Sequence, residues 1–198
     1  MNSVKEGKVQ ADSLVMTSYD SENKSINFRS ISPEIKFENK KLKNYSTKEL
    51  KKNISQITDI KADYYFAINY KGFVKVINKL GGIKVNLQEK LEVPELGLKL
   101  EKGNNLLSGR EALNYARWYN YDSAKVDRIE RQRIIIEAII EKAFNKETMF
   151  DLSKLYSTIV ESYKMVETDL DSKLINDLVK FAQNNNGFKI EYNIITEN

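Results

Sequence analysis

"GREALNYARWYNYDSAKVDRIERQR" occupies residues 109–133, and its part from 117 to 133 holds four arginines and a lysine. Directly after it the chain turns apolar, with "IIIEAII" at 134–140. The apolar run and the spacing of its isoleucines predict a long helix over 128–146. Arginines therefore crowd the start of a helix, which is its positive end and favours anions. Asp127 is the expected N-cap of that helix, with Glu130 three residues on as its capping-box partner. At about 100° per residue, Arg128, Arg131 and Gln132 share a stripe with Ile135 and Ile139, while Glu130, Glu137 and Glu141 gather on the opposite, solvated face. The basic stripe therefore points inward, where an unpaired charge is costly. Two readings follow from the residues alone. Either Asp122 and Asp127 neutralise the arginines in an internal network, or an external anion, with phosphate the obvious candidate, is held by arginine forks and free backbone N–H groups.

Composition narrows the chemistry. A chain of 198 residues with 41% apolar residues suits one ordinary folded domain. The net charge is +4, from 32 basic and 28 acidic residues, too small an excess to argue for nucleic acid. Trp118, Tyr119 and Tyr121 lie in no nucleic-acid motif, and no nucleic-acid partner is expected. There is no cysteine and no histidine, which removes thiol nucleophiles, Ser-His-Asp triads and Cys/His zinc sites. Any metal must be a hard cation such as Mg²⁺ held by oxygens. No run approaches the ~18 apolar residues of a membrane span, so an anchor, if the natural protein has one, is expected outside this chain.

The rest of the chain alternates strand and helix signals. Strands are predicted at 12–20 and 24–32 with a turn at "DSEN" (20–23), then at 63–69, 83–87 and 188–196. Tyr64, Tyr65 and Phe66 read as core strand. Helices are predicted at 46–57, where Ser46 and Glu49 form a capping-box pattern, and at 70–80, 108–119, 128–146, 151–164 and 169–185. Residues 91–107 read as loop or hairpin. The interleaving points to an α/β fold, a three-layer α-β-α sandwich on a central mixed β-sheet. With two prolines and no low-complexity linker, residues 1–198 are expected to form a single domain.

Several ordered motifs resemble the LytR-CpsA-Psr family of bacterial cell envelopes. "GREALNYARWYNYDSAKVDRIERQR" looks like its Gly-x-x-Ala-Leu-x-Tyr-x-Arg pattern, an acid-containing loop, and Arg-x-x-Arg-Gln opening a long helix. "ADSLVM" (11–16) is similar to its Arg-Ser-Asp-Thr strand start, and "DYYFAINYKGFVKVINKLGGIKVNL" (63–87) to its strand-helix-Gly-Gly-strand segment. The resemblance covers about residues 9–185. It implies a protein on the extracytoplasmic face of the membrane that binds polyprenyl-pyrophosphate-linked glycopolymer and transfers it to a cell-wall acceptor such as peptidoglycan, with Mg²⁺ helping. The carried-over roles are pyrophosphate binding by Arg117, Arg128, Arg131 and Gln132, and catalysis by Arg117 and Asp12. Asp12 also serves as the metal or acceptor-activating carboxylate. Phe73, Ile77, Ile135 and Ile139 would line the groove for the polyprenyl-phosphate lipid, although by pattern Phe73 and Ile77 are equally core positions. The membrane surface is a further expected partner, through the basic run "KLKNYSTKELKK" (41–52).

Departures from the family pattern are specific. Gln10 stands before Asp12 where the family has arginine two residues ahead of its acid. Pro33 and Glu34 stand where the family has Arg-Asp, Tyr119 stands for a second arginine, and Lys125 stands where an acid is common. The family's first strand, ending in Gly-x-Asp, has no counterpart before Asp12. Two readings stay open on this basis: a transferase, slow or inactive through lost contacts, and a non-catalytic polyprenyl-phosphate-binding or scaffold protein. A transcriptional attenuator is a distant third.

Overall fold

A computed structural model of the chain describes residues 11–118, 125–143, 165–184 and 189–195. The fold is mixed α/β. The chain divides into two compact units, each discontinuous in sequence: unit 1 gathers Met1–Ala67, Glu167–Ser172 and Asn184–Asn198, and unit 2 gathers Ile68–Val166 and Lys173–Gln183.

Unit 1 is built on a three-stranded mixed sheet. β1 (Leu14–Asp20) pairs antiparallel with β2 (Ser25–Ile31), and β11 (Lys189–Ile195) adds parallel to β2 on its other side. The turn between β1 and β2 is made by Asp20. Its Oδ1 accepts the N–H groups of Glu22 and Asn23 at 2.9 and 3.1 Å, an Asx turn of the kind the "DSEN" signal predicts. Two short strands, β3 (Lys36–Phe37) and β4 (Lys40–Lys41), form a small hairpin. α1 (Thr47–Thr58) starts at Ser46 with both capping-box bonds to Glu49 present, and it ends at Asp59, whose φ is +53°. Leu50 of α1 joins Met16, Ile31, Ile35, Leu42 and Tyr45 in the core of this unit.

The predicted strand at 63–69 is shorter than expected. Only β5 (Phe66–Ile68) is strand, paired with β10 (Val166–Thr168). The preceding residues are held by side chains instead of a ladder. The Asp63 carbonyl accepts from Lys51, the Tyr65 N–H donates to Asp169 at 2.7 Å, and the Tyr65 carbonyl accepts from the Thr168 hydroxyl at 2.6 Å. The core reading of the aromatic run is also corrected: Tyr64 is 53% and Phe66 46% exposed. Their bulk suits a buried strand, but the polar anchoring turns the segment to solvent.

Unit 2 packs helices on two antiparallel ladders. β6 (Ile83–Leu87) pairs with β9 (Gly103–Leu107), with Ile83 opposite Leu107, and β7 (Leu91–Val93) pairs with β8 (Leu98–Leu100) through a turn closed by Gly97 at φ +62°. α2 (Tyr70–Lys79) is capped by Asn69, whose side chain accepts the Gly72 N–H. α3 (Gly109–Arg117) carries a second capping box, Ser108 with Glu111. α4 runs from Lys125 to Ala143, and α5 (Ser172–Asn184) follows β10. Because α4 already includes Lys125, Asp127 lies inside it and is not its cap. The predicted helix at 151–164 lies outside the described residues.

Ile77, Ile83, Leu98, Leu107, Ile135 and Ala138 belong to the core of unit 2. α2 and α3 approach closely at Gly109. A Cβ built there would lie 2.2 Å from the Val74 carbonyl oxygen, and the Gly109 N–H donates to Asn78 Oδ1 at 2.8 Å. The glycine of the sequence motif is therefore a contact between two backbones.

Candidate anion site at the end of α3

α3 is amphipathic, with Ala112, Leu113 and Tyr115 buried. That orientation delivers its last residue, Arg117, to the surface. Its guanidinium lies over the ring of Tyr70, 4.3 Å from the centroid. Tyr70 opens α2 and is itself 39% exposed. The next residue, Trp118, ends α3 and turns the chain away. Arg131 on α4 reaches back to that turn. Its Nη2 donates to the Trp118 carbonyl at 2.8 Å, and its guanidinium sits over the indole at 4.7 Å. Arg131 is 8% exposed.

Two of the expected anion ligands, Arg117 and Arg131, are thus brought to the same end of α3. Each guanidinium lies over an aromatic ring. For the exposed Arg117, a ring against the face of the guanidinium leaves donors on its edge, of the kind that grip a phosphate or carboxylate. Such contacts contribute about 0.5–1 kcal/mol at exposed positions and about 2 where desolvated. Arg128 and Gln132 lie on α4, one turn apart and half-buried.

Two acids of α4 have a partner of their own. Glu130 and Glu137 both pair with Arg133, and the Glu130 carboxyl is held below its usual range by the Arg133 hydrogen bond. Among the described residues, Arg117 and Arg128 have no carboxylate partner. Asp122 lies outside the described residues, and so does the side chain of Asp127.

The proposed groove residues divide. Ile77 is 0% and Ile135 2% exposed, both inside the core of unit 2. For these two the core reading replaces the groove. Phe73 and Ile139 pack against that core from partly buried positions. Asp12 belongs to unit 1 and is exposed, just before β1. Among the described residues no three acids gather into a metal-binding group. No helix of the described residues is long and apolar enough to cross a membrane.

Two features of unit 1 were not legible beforehand. Glu34 is gripped by Lys41 and Lys43, both at 2.6 Å, and these hydrogen bonds pull its carboxyl down to about 2. Pro33 beside it is buried, and its carbonyl accepts the Lys43 N–H at 2.9 Å. Arg29, on the central strand opposite Met16 and Asn193, has a buried Nη1 with no partner among the described residues. Strand alternation marks which face such a residue takes. It gives no sign of whether a partner waits there.

Residues 2–197 match the model of the LytR_cpsA_psr family. The chain belongs to that family. Regulatory protein MsrR of Staphylococcus aureus (strain Mu50) is 26% identical over 160 residues, 75% of this chain and 49% of that protein. The polyisoprenyl-teichoic acid–peptidoglycan teichoic acid transferase TagU of Halalkalibacterium halodurans is 33% identical over 119 residues, 59% of this chain and 38% of that protein. The chain thus spans about half or less of the length of these relatives. Among solved structures, B. subtilis TagV matches with a TM-score of 0.78 at 24% identity, covering 99% of this chain and 80% of that one. TagT bound to LI-WTA matches at 0.71 and 21%, covering 96% and 74%. These likenesses confirm the α/β fold of the LytR-CpsA-Psr family in this chain.

Proposed function

We propose that this chain is an extracytoplasmic glycopolymer-binding domain that holds the pyrophosphate of a polyprenyl-linked cell-wall polymer at the end of α3. The observation that carries the reading is the state of the arginines: Arg117 and Arg131 lie over Tyr70 and Trp118, while Glu130 and Glu137 of α4 are engaged by Arg133. Family membership and the transfer activity in the name of the relative TagU support peptidoglycan as the acceptor of such a polymer. Arg128 and Gln132 complete the set of donors from α4. Phe73 and Ile139 would contact the lipid chain, and a membrane surface would present it.

Asp12 would act as the carboxylate that orients the acceptor hydroxyl. A Mg²⁺ ion held there would draw most of its oxygens from substrate phosphates and water, as this ion commonly does, and would supply charge neutralisation at the phosphates. A second reading, binding without transfer, is favoured by Pro33: a buried proline stands where the family pattern has an arginine, and it can neither carry charge nor donate an N–H.

The test is calorimetric titration with geranyl pyrophosphate. Wild type should bind, and Arg128→Ala should weaken binding by about 1.5–3 kcal/mol, the range of a charge-assisted hydrogen bond. Equal affinities would refute the assignment. Transfer of a labelled glycopolymer to peptidoglycan fragments with Mg²⁺ then separates ligase from binder.

A further inference from the structure

Arg29 takes no part in the site at the end of α3. It stands on β2, the central strand of the unit 1 sheet, opposite Met16 of β1 and in register with Asn193 of β11. Residues directly opposite on paired strands share a face, so Met16, Arg29 and Asn193 form one row across the sheet. Met16 identifies that face. It is 7% exposed, belongs to the core that holds Leu50 of α1, and its Sδ accepts the Thr58 hydroxyl at 3.4 Å. The row therefore runs from under the end of α1, through the half-buried Arg29, to the exposed Asn193.

The Arg29 guanidinium makes no hydrogen bond, ion pair or ring contact among the described residues. Its Nη1 is closed off from water, which leaves the Nε–Nη2 edge for a ligand. A charge partly withdrawn from water costs free energy as long as it has no partner. The protein's own acids have not filled the place. Glu191 lies diagonal to Arg29 on the same face and is held by Lys189 at 2.6 Å. Asp59, which ends α1 next to Thr58, makes no ion pair among the described residues.

We propose that Arg29 and Asn193 form a binding site for a small carboxylate, built within unit 1 and independent of the pyrophosphate reading. One cation balances one negative charge, and the donors along the guanidinium edge match the two oxygens of a carboxylate. The Asn193 amide, one strand spacing of about 5 Å away, supplies a further N–H. A phosphate dianion suits the place less well, since its second charge would find no cation there and would meet Glu191.

The experiment measures thermal unfolding of wild type, Arg29→Met and Asn193→Ala in acetate, phosphate and chloride at matched ionic strength. In chloride, Arg29→Met should melt about 2–4 °C above wild type, because an unpaired charge has been replaced by an apolar chain of similar length. Acetate should raise the melting temperature of wild type above its value in chloride. Arg29→Met should lose that response, and Asn193→Ala should bind acetate about threefold or more weakly. Affinity for geranyl pyrophosphate should stay within about twofold in Arg29→Met. An Arg29→Met protein that melts below wild type in chloride would show that Arg29 has a partner inside the protein, and would overturn the site. An acetate response that survives in Arg29→Met overturns it as well. An Arg29-dependent response to phosphate as large as that to acetate would refute the choice of carboxylate. Loss of geranyl pyrophosphate binding in Arg29→Met would make Arg29 part of the pyrophosphate site and refute a separate one.

Discussion

Single residues carry the functional argument, and two of them can be tested by stability alone. Glu34 is ionised in the folded protein down to about pH 2, because Lys41 and Lys43 both donate to it; its ordinary value is 4.5. A folded-state value below the unfolded one means that the stabilisation is fully present above about pH 5 and is lost as the pH falls towards 2. After screening of these partly exposed lysines the contribution is on the order of 1 kcal/mol. Glu34→Gln should flatten the acid limb of a stability-versus-pH curve over that window, measured by urea unfolding. The neighbouring Pro33→Arg change, which would restore a family arginine, should instead destabilise the fold by about 2 kcal/mol or more. It places a long cation at a buried position whose neighbouring carboxylate is already engaged. A melting temperature equal to wild type would show that the site can open to receive it.

At the scale of elements, the helix termini and one helix contact decide how the site is presented. The capping boxes at Ser46 and Ser108 start α1 and α3 at defined residues. For α3 this sets which turn ends at Arg117. The crossing of α2 and α3 at Gly109 then brings Tyr70 within reach of that arginine. Gly109→Ala would force a methyl group to 2.2 Å from the Val74 carbonyl oxygen, and backbone cannot rotate away as a side chain can. The expected loss is about 1–3 kcal/mol, typical of an overpacked contact, read by thermal or urea unfolding. The helices must also separate slightly, so Arg117 should lose its stacking on Tyr70 and geranyl pyrophosphate affinity should fall with it. A stable variant with unchanged affinity would contradict the close-contact account.

At the scale of the whole molecule, the protein carries a net charge of +4, and among the described residues Arg117 and Arg128 have no carboxylate partner. If these arginines await an anion, a ligand that binds only the folded state should stabilise it by mass action, by about 2.7 kcal/mol at a hundred times its dissociation constant. Pyrophosphate should therefore raise the melting temperature more than chloride does at matched ionic strength. Equal responses to the two would indicate that the arginines are neutralised within the protein.

Much of this was readable from local pattern. The turn at Asp20, the capping box at Ser46, the strand at 83–87 and the apolar stripe of α4 depend on neighbours within a few residues, and local physics is written directly in the sequence. The arginine motif, with the Gly109 and Arg117 that belong to it, was recognisable for the same reason: its spacing is short. Long-range partners were not. Whether Tyr64 and Phe66 face core or solvent turned on Asp169 and Thr168, about a hundred residues away. That Ile77 and Ile135 are core depended on strands far along the chain packing over them. Arg117 meets Tyr70 because α2 and α3 cross where a glycine lets them, and Arg131 meets Trp118 because α4 packs back on the end of α3. Sequence periodicity determines which face of an element is apolar. What covers that face, and which charge finds a ring or a carboxylate, is decided when the elements pack.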